Sequence, residues 1–129
     1  MCWRITPDEY RARLETLHAA CARAKRDPQT VGLSVGLYTL LGTDGNDLQA
    51  RYEALQRWTP GGALDGVPLT TFADGALVGT IDDCAATMKE FEALGVSEII
   101  LSLGSLPFSV YDDDQLELAA RELIPQVRG

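Results

Sequence analysis

Histidine occurs once in this chain of 129 residues, at His18, and that scarcity removes most familiar catalytic and metal-binding devices. A Ser–His–Asp relay needs an imidazole beside its nucleophile, and most zinc centres need several nitrogen or sulfur ligands. His18 stands at the edge of an apolar helical stripe, where it reads as an ordinary surface residue. Cysteine is nearly as scarce. Cys2, Cys21 and Cys84 are widely spaced with no C-x-x-C pair, which suits reduced thiols in a cytosolic protein better than disulfides or zinc. Positive charge is also short: 11 Lys and Arg against 19 Asp and Glu leave a net charge of −8. Phosphate backbones and anionic lipid call for the opposite balance, so neither nucleic acid nor a membrane is expected as a partner. No run approaches the ~20 apolar residues of a membrane-spanning helix, and no signal peptide is expected at the Met1 end. Neither G-x-G-x-x-G after a strand nor G-x-x-x-x-G-K-S/T occurs. Length and a hydrophobic content of 46% suit one soluble, cytoplasmic domain over residues 1–129.

What is present centres on residues 78–104, VGTIDDCAATMKEFEALGVSEIILSLG. Thr80 and Asp83 stand in capping-box relation, and Asp82 and Asp83 place negative charge in a first helical turn. Ile81, Cys84, Ala85, Met88, Phe91 and Leu94 recur at helical spacing. Gly95 is placed to end the helix in the left-handed conformation. Ile99, Ile100, Leu101 and Leu103 then form a nearly unbroken apolar run, the mark of a strand covered on both faces. Helix, glycine and buried strand make one step of an α/β fold with a parallel sheet.

Upstream, 1–5 reads as the tail of a strand or the loop after one. Thr6-Pro7-Asp8-Glu9 starts a helix whose stripe is Tyr10, Leu14, Leu17 and Cys21, ended by Asp27-Pro28. The stretch 31–41 is a strand, 42–46 a turn, and Leu48, Tyr52 and Leu55 mark a second helix. Over 59–77 the pattern fails, and an irregular excursion with one short helix near 69–73 is expected; such an insertion is more often functional or interface-forming than accidental. A last helix follows Asp112, Asp113 and Asp114, with Pro125 breaking or kinking it. The strands near 34–40 and 98–103 should be parallel neighbours with helices packed on one side.

Chemistry-bearing residues are few. The Asp112–Asp114 run reads as a cap and dipole complement, not a metal site. Asp44-Gly45-Asn46-Asp47 lacks the spacing and closing Glu of a calcium loop and reads as a turn. Cys84 lies on the buried stripe and reads as core. No self-sufficient catalytic set is present. What remains are the carboxyl ends of strands, where ligands gather in α/β sheets and barrels: Trp3, Arg4, Tyr38, Thr39, Ser102 and Gly104.

Three passages, WRITPDEYRARLETLHAACARAKRDPQTV, SVGLYTLLGTD and LVGTIDDCAATMKEFEALGVSEIILSLG, resemble the C-terminal part of the luciferase-like monooxygenase family. In that family a G-T-x-E/D segment, a helix and G-V-x-E-I-I-L lead into the last barrel strand. The resemblance implies about half of a (β/α)8 TIM-type barrel, in a flavin- or F420-dependent oxidoreductase acting on a small-molecule substrate. FMN or coenzyme F420 is the implied cofactor of the full-length family. A whole barrel takes on the order of 250 residues. The family's N-terminal strands and its phosphate-holding loop have no counterpart here, so no catalytic residue is carried over and the six strand-end residues match by location alone.

Two expectations of different class follow. The chain is the C-terminal half of such an oxidoreductase, shortened by processing or a misplaced start, and inactive without its other half. Alternatively it is a complete, non-catalytic α/β module that assembles with itself or with a separate N-terminal half. In both, half a barrel leaves sheet edges open, so a homo-oligomer, a partner half-barrel or a fold-back of the 59–77 excursion should cover them.

Overall fold

The computed structural model describes residues 3–129; Cys2 and the start of the 1–5 segment lie outside the described residues. Helix α1 spans Pro7–Arg23. The Thr6 hydroxyl accepts from the Glu9 N–H at 3.2 Å while a Glu9 carboxylate oxygen accepts from the Thr6 N–H at 2.9 Å, so the box is complete. The helix ends with Lys25 at φ +54, where glycine is usual, and the Arg26 N–H donates to the Cys21 carbonyl at 2.9 Å.

Strand β1 runs Ser34–Gly42, beginning three residues later than the pattern predicts. The cause is a 3₁₀ turn over Pro28–Thr30, capped by Asp27, whose carboxylate accepts from the Gln29 N–H at 2.9 Å. Helix α2, Gly45–Trp58, is capped by Asp44, which accepts from the Asp47 N–H at 2.8 Å. The excursion holds the short helix α3, Leu69–Ala73. It then ends in a strand the periodicity does not reveal, β2 at Leu77–Thr80. Four residues are too few to show a period beside the helix cap that follows.

Helix α4, Ile81–Ala93, carries the expected capping box, and Gly95 at φ +91 closes it with the Val96 N–H on the Phe91 carbonyl. Its buried residues are the expected stripe except Leu94, which is half-buried at the open end. Strand β3 is Glu98–Ser102. The last helical stretch divides into α5 (Asp113–Leu118), a π turn (Ala119–Leu123) and α6 (Ile124–Arg128). Pro125 sits in the first turn of α6 and has no N–H to give. The wider turn before it absorbs the missing bond, so the chain loosens instead of breaking.

The three strands form one parallel sheet in the order β2-β1-β3, with helices on both faces. Strand β3 pairs with the first half of β1, Ser34 opposite Glu98 through Tyr38 opposite Ser102. Strand β2 pairs with the second half, Thr39 opposite Leu77 through Gly42 opposite Thr80. The strands near 34–40 and 98–103 are thus parallel neighbours. Trp3 also touches β1, accepting from the Tyr38 N–H at 3.1 Å. Backbone groups alternate sides along a strand. Leu33 faces β3, accepting from the Ser97 N–H at 3.0 Å, so Tyr38, five residues on, faces away from β3. Trp3 therefore lies on the same side of β1 as β2, and the Ile5 N–H donating to the Gly75 carbonyl at 2.7 Å agrees.

One face of the sheet, Val35, Leu37 and Leu41, packs on α4, α1 and the last helices, with Phe91 and Leu123 fully buried. Tyr10 meets Phe91 edge-on at 5.7 Å. On the other face Leu40 packs with Tyr52, Leu55 and Phe72. This corrects the expectation that helices cover one side only. Because β1 outruns β3 by four residues, its protruding end needs cover on both faces, and α2 and α3 supply it.

Candidate functional site

The strand ends separate into a tied-down half and a half-open half. Gln115 governs the first. Beyond Tyr38 no strand among the described residues follows β1 on the β3 side, and the fully buried Gln115 side chain takes the vacant place. Its Oε1 accepts from the Leu41 N–H and its Nε2 donates to the Leu41 carbonyl, both at 2.8 Å. A side-chain amide thus imitates a strand residue and satisfies two backbone groups that burial would otherwise leave costly.

Beside it, Arg51 braces α2 against α5. Its Nε donates to Asp47 at 2.8 Å and its Nη2 to Asp114 at 2.9 Å. Asp47 also accepts from the Thr43 N–H at 2.9 Å. That backbone donor, and then Arg51, hold the Asp47 carboxyl below its usual range. The Tyr111 hydroxyl donates to the Arg51 carbonyl at 3.3 Å. Burial, then Asp112, pushes its phenol up to about 12, so it stays a neutral donor at physiological pH. The Thr59 and Ser105 hydroxyls meet at 2.6 Å and tie the end of α2 to the loop after β3. Together these contacts tie α2 to α5 and to the loop after β3.

Three of the six strand-end residues belong to that tied half. Thr39 is fully buried with its hydroxyl donating to the Leu37 carbonyl at 3.1 Å. Ser102, also fully buried, donates to the Leu106 carbonyl at 2.8 Å and accepts from the Ser109 N–H at 3.4 Å. Gly104 lets that loop close, since a Cβ there would lie 2.8 Å from the Ser109 hydroxyl oxygen.

The other three form one patch on the α2 face of the sheet. The rings of Trp3 and Tyr38 stack at 5.9 Å and 25°. The Arg4 guanidinium lies 5.2 Å from the Tyr38 ring and 5.0 Å from that of Phe72. Arg4 also donates to the carbonyls of Phe72 and Asp74, the latter at 3.1 Å. Phe108 meets Trp3 edge-on at 4.9 Å, stands 75% exposed and has φ +57. Trp3, Arg4 and Tyr38 are half-buried. The strand-end reading needs correcting here: no strand is assigned at Trp3 and Arg4, and Tyr38 and Thr39 stand in the middle of β1, which runs on to Gly42. Phe72 and Phe108 carried no signal, because both lie in stretches without a period. Trp3, Arg4, Tyr38, Phe72 and Phe108 include no carboxylate, imidazole or thiol. The patch is an aromatic surface with one cation, suited to stacking a flat ring.

Among the described residues no group of three or more His, Cys, Asp and Glu side chains could hold a metal, and no helix is long and apolar enough to cross a membrane. Asp112 caps α5, accepting from the Asp114 N–H at 3.0 Å, and His18 is exposed. Cys84 is core: burial, then Asp83, pushes its thiol up to about 12. No protein-family model matches the chain, and no curated protein matches it.

Proposed function

We propose that this chain supplies the closing β/α units of a (β/α)8 barrel of the luciferase-like kind, a flavin- or F420-dependent oxidoreductase of small molecules. One observation carries the proposal. Trp3, β1 and β3 stand side by side in chain order, as successive barrel strands do, each separated by helical segments. Strand β2 is then an accessory strand added to the projecting end of β1. The Trp3–Tyr38 patch would lie on the inner face, where a planar isoalloxazine or deazaflavin ring could stack. The loop that holds the cofactor phosphate, and the main catalytic groups, would come from the other units, since the Arg4 guanidinium is already engaged by the Phe72 and Asp74 carbonyls. The chain by itself is accordingly inactive.

A second reading has its own support. Helix α2 packs on the face opposite α4, as in a two-faced α/β module that needs no barrel. On that account the chain is non-catalytic and assembles with itself or with a separate half. The two separate by fluorescence titration with FMN and F420. One sample is the chain alone; the other is the chain expressed together with the reading frames that adjoin it in its genome. The oxidoreductase proposal expects no tight binding by the first and stoichiometric quenching by the second. No quenching in either leaves the two-faced module.

A further inference from the structure

We propose that the outer edge of β3, with the apolar groove beside it, is an interface between two copies of this chain. Among the described residues strand β3 pairs with β1 on one side only, and on the other just its continuation, Leu103, gains a bridge, to Val110. Five residues, Glu98–Ser102, present an open edge. Alongside lies a groove of ≈ 630 Å³ between β3, α4 and α6, whose apolar lining is Met88, Val96, Ile99, Leu101, Ile124 and Val127. Ile99 and Leu101 are half-buried and Ile124 is 37% exposed. An open edge flanked by apolar side chains, with no lysine, proline or bulge to guard it, is a template for another strand.

Charge decides which strand. The chain carries −8 overall, yet the groove holds one acid, Glu92, and one base, Arg128. It is thus a place where a second copy meets little like charge, and a twofold axis can offer each Glu92 the other copy's Arg128. The edge is compatible with itself in the same way. Its single charge, Glu98, sits at one end, so antiparallel pairing of β3 with β3 sets Glu98 against the partner's serine end and aliphatic residues against each other. The result is a six-stranded sheet with one helix layer running across both copies. The inference rests on the second reading, in which the chain assembles with itself: in a closed barrel the outer edge of β3 would be taken by the barrel's first strand, so the two assemblies exclude each other.

The remaining net charge predicts a signature. Copies of −8 repel at long range, so added salt should tighten the dimer while its apolar centre holds. The test is sedimentation equilibrium of the whole chain at low and high salt, with hydrogen exchange read over residues 98–102. Expected are a concentration-dependent dimer, tighter at high salt, and slower exchange in that segment as the dimer forms. Ile124→Glu places a charge at the groove rim and should weaken association by roughly tenfold or more, with the far-UV circular dichroism unchanged. A wild-type chain monomeric at every concentration overturns the proposal. So does a dimer whose 98–102 exchange is the same as the monomer's, a result that does not depend on whether the variant folds.

Discussion

Replacing Gln115 by alanine is the sharpest test of how the carboxyl end of the sheet is held. The substitution leaves the Leu41 N–H and carbonyl without the two 2.8 Å bonds they now have, at a position with no solvent access. An unpaired buried donor or acceptor costs about 1–3 kcal/mol, so Gln115→Ala should destabilise by about 2–5 kcal/mol. With an unfolding entropy of about 2.1 cal/mol/K per residue, each kcal/mol lowers the Tm of a chain this long by about 4 °C. The expected loss is therefore roughly 8–20 °C by circular dichroism, with a matching fall in the urea midpoint. Gln115→Glu makes the cause visible. Its carboxylate can accept from the Leu41 N–H but offers nothing to the Leu41 carbonyl, whereas its protonated form offers a donor. The pairing raises the folded-state pKa of the new acid, so its stabilisation is present at acid pH and is lost as pH rises. The variant should melt low at neutral pH and approach wild type toward about pH 4. A Gln115→Ala protein melting within about 2 °C of wild type would refute the claim that this amide replaces a strand.

Gly42→Ala should also be costly, because its Cβ would stand 2.7 and 2.8 Å from the Leu48 Cα and N, and α2 would have to move. A loss of about 1–3 kcal/mol is expected from denaturant melts, and an unchanged midpoint would show that α2 is not held against β1. Asp47→Asn should change the acid limb of stability. The Thr43 N–H and Arg51 hold the Asp47 carboxyl below the ordinary aspartate value in the folded protein, so its contribution is full above that ordinary value and lost as pH falls through the folded pKa. The gap between wild type and Asp47→Asn should be constant above about pH 5 and close in stronger acid; a gap that widens there would contradict the assignment.

Local signals were the most legible in the sequence. Thr6 with Glu9, Thr80 with Asp83 and Gly95 each act within one turn of chain, and each adopts the geometry its spacing implies. Features made by distant partners were not. Nothing in the residues around Gln115 marks it as the partner of Leu41, 74 positions away. Ser102 and Gly104 looked available at a strand end, but the loop they face folds back and takes up the hydroxyl. Helix α2 was legible as a helix, yet the side it covers depends on how far β1 outruns β3, which is a matter of pairing register. Phe108 carried no signal, since its place follows from a loop residue at positive φ meeting Trp3.

The proposed function turns on whether this chain works within a flavin- or deazaflavin-bearing barrel. The most direct measurement is the absorbance spectrum of the protein purified under native conditions from its own cells, through a tag placed on the chromosomal gene, with whatever polypeptide accompanies or extends it. The account predicts released FMN or F420 in stoichiometric amount, identified by its spectrum and mass. Colourless material, with the chain intact and no such cofactor released, would contradict it.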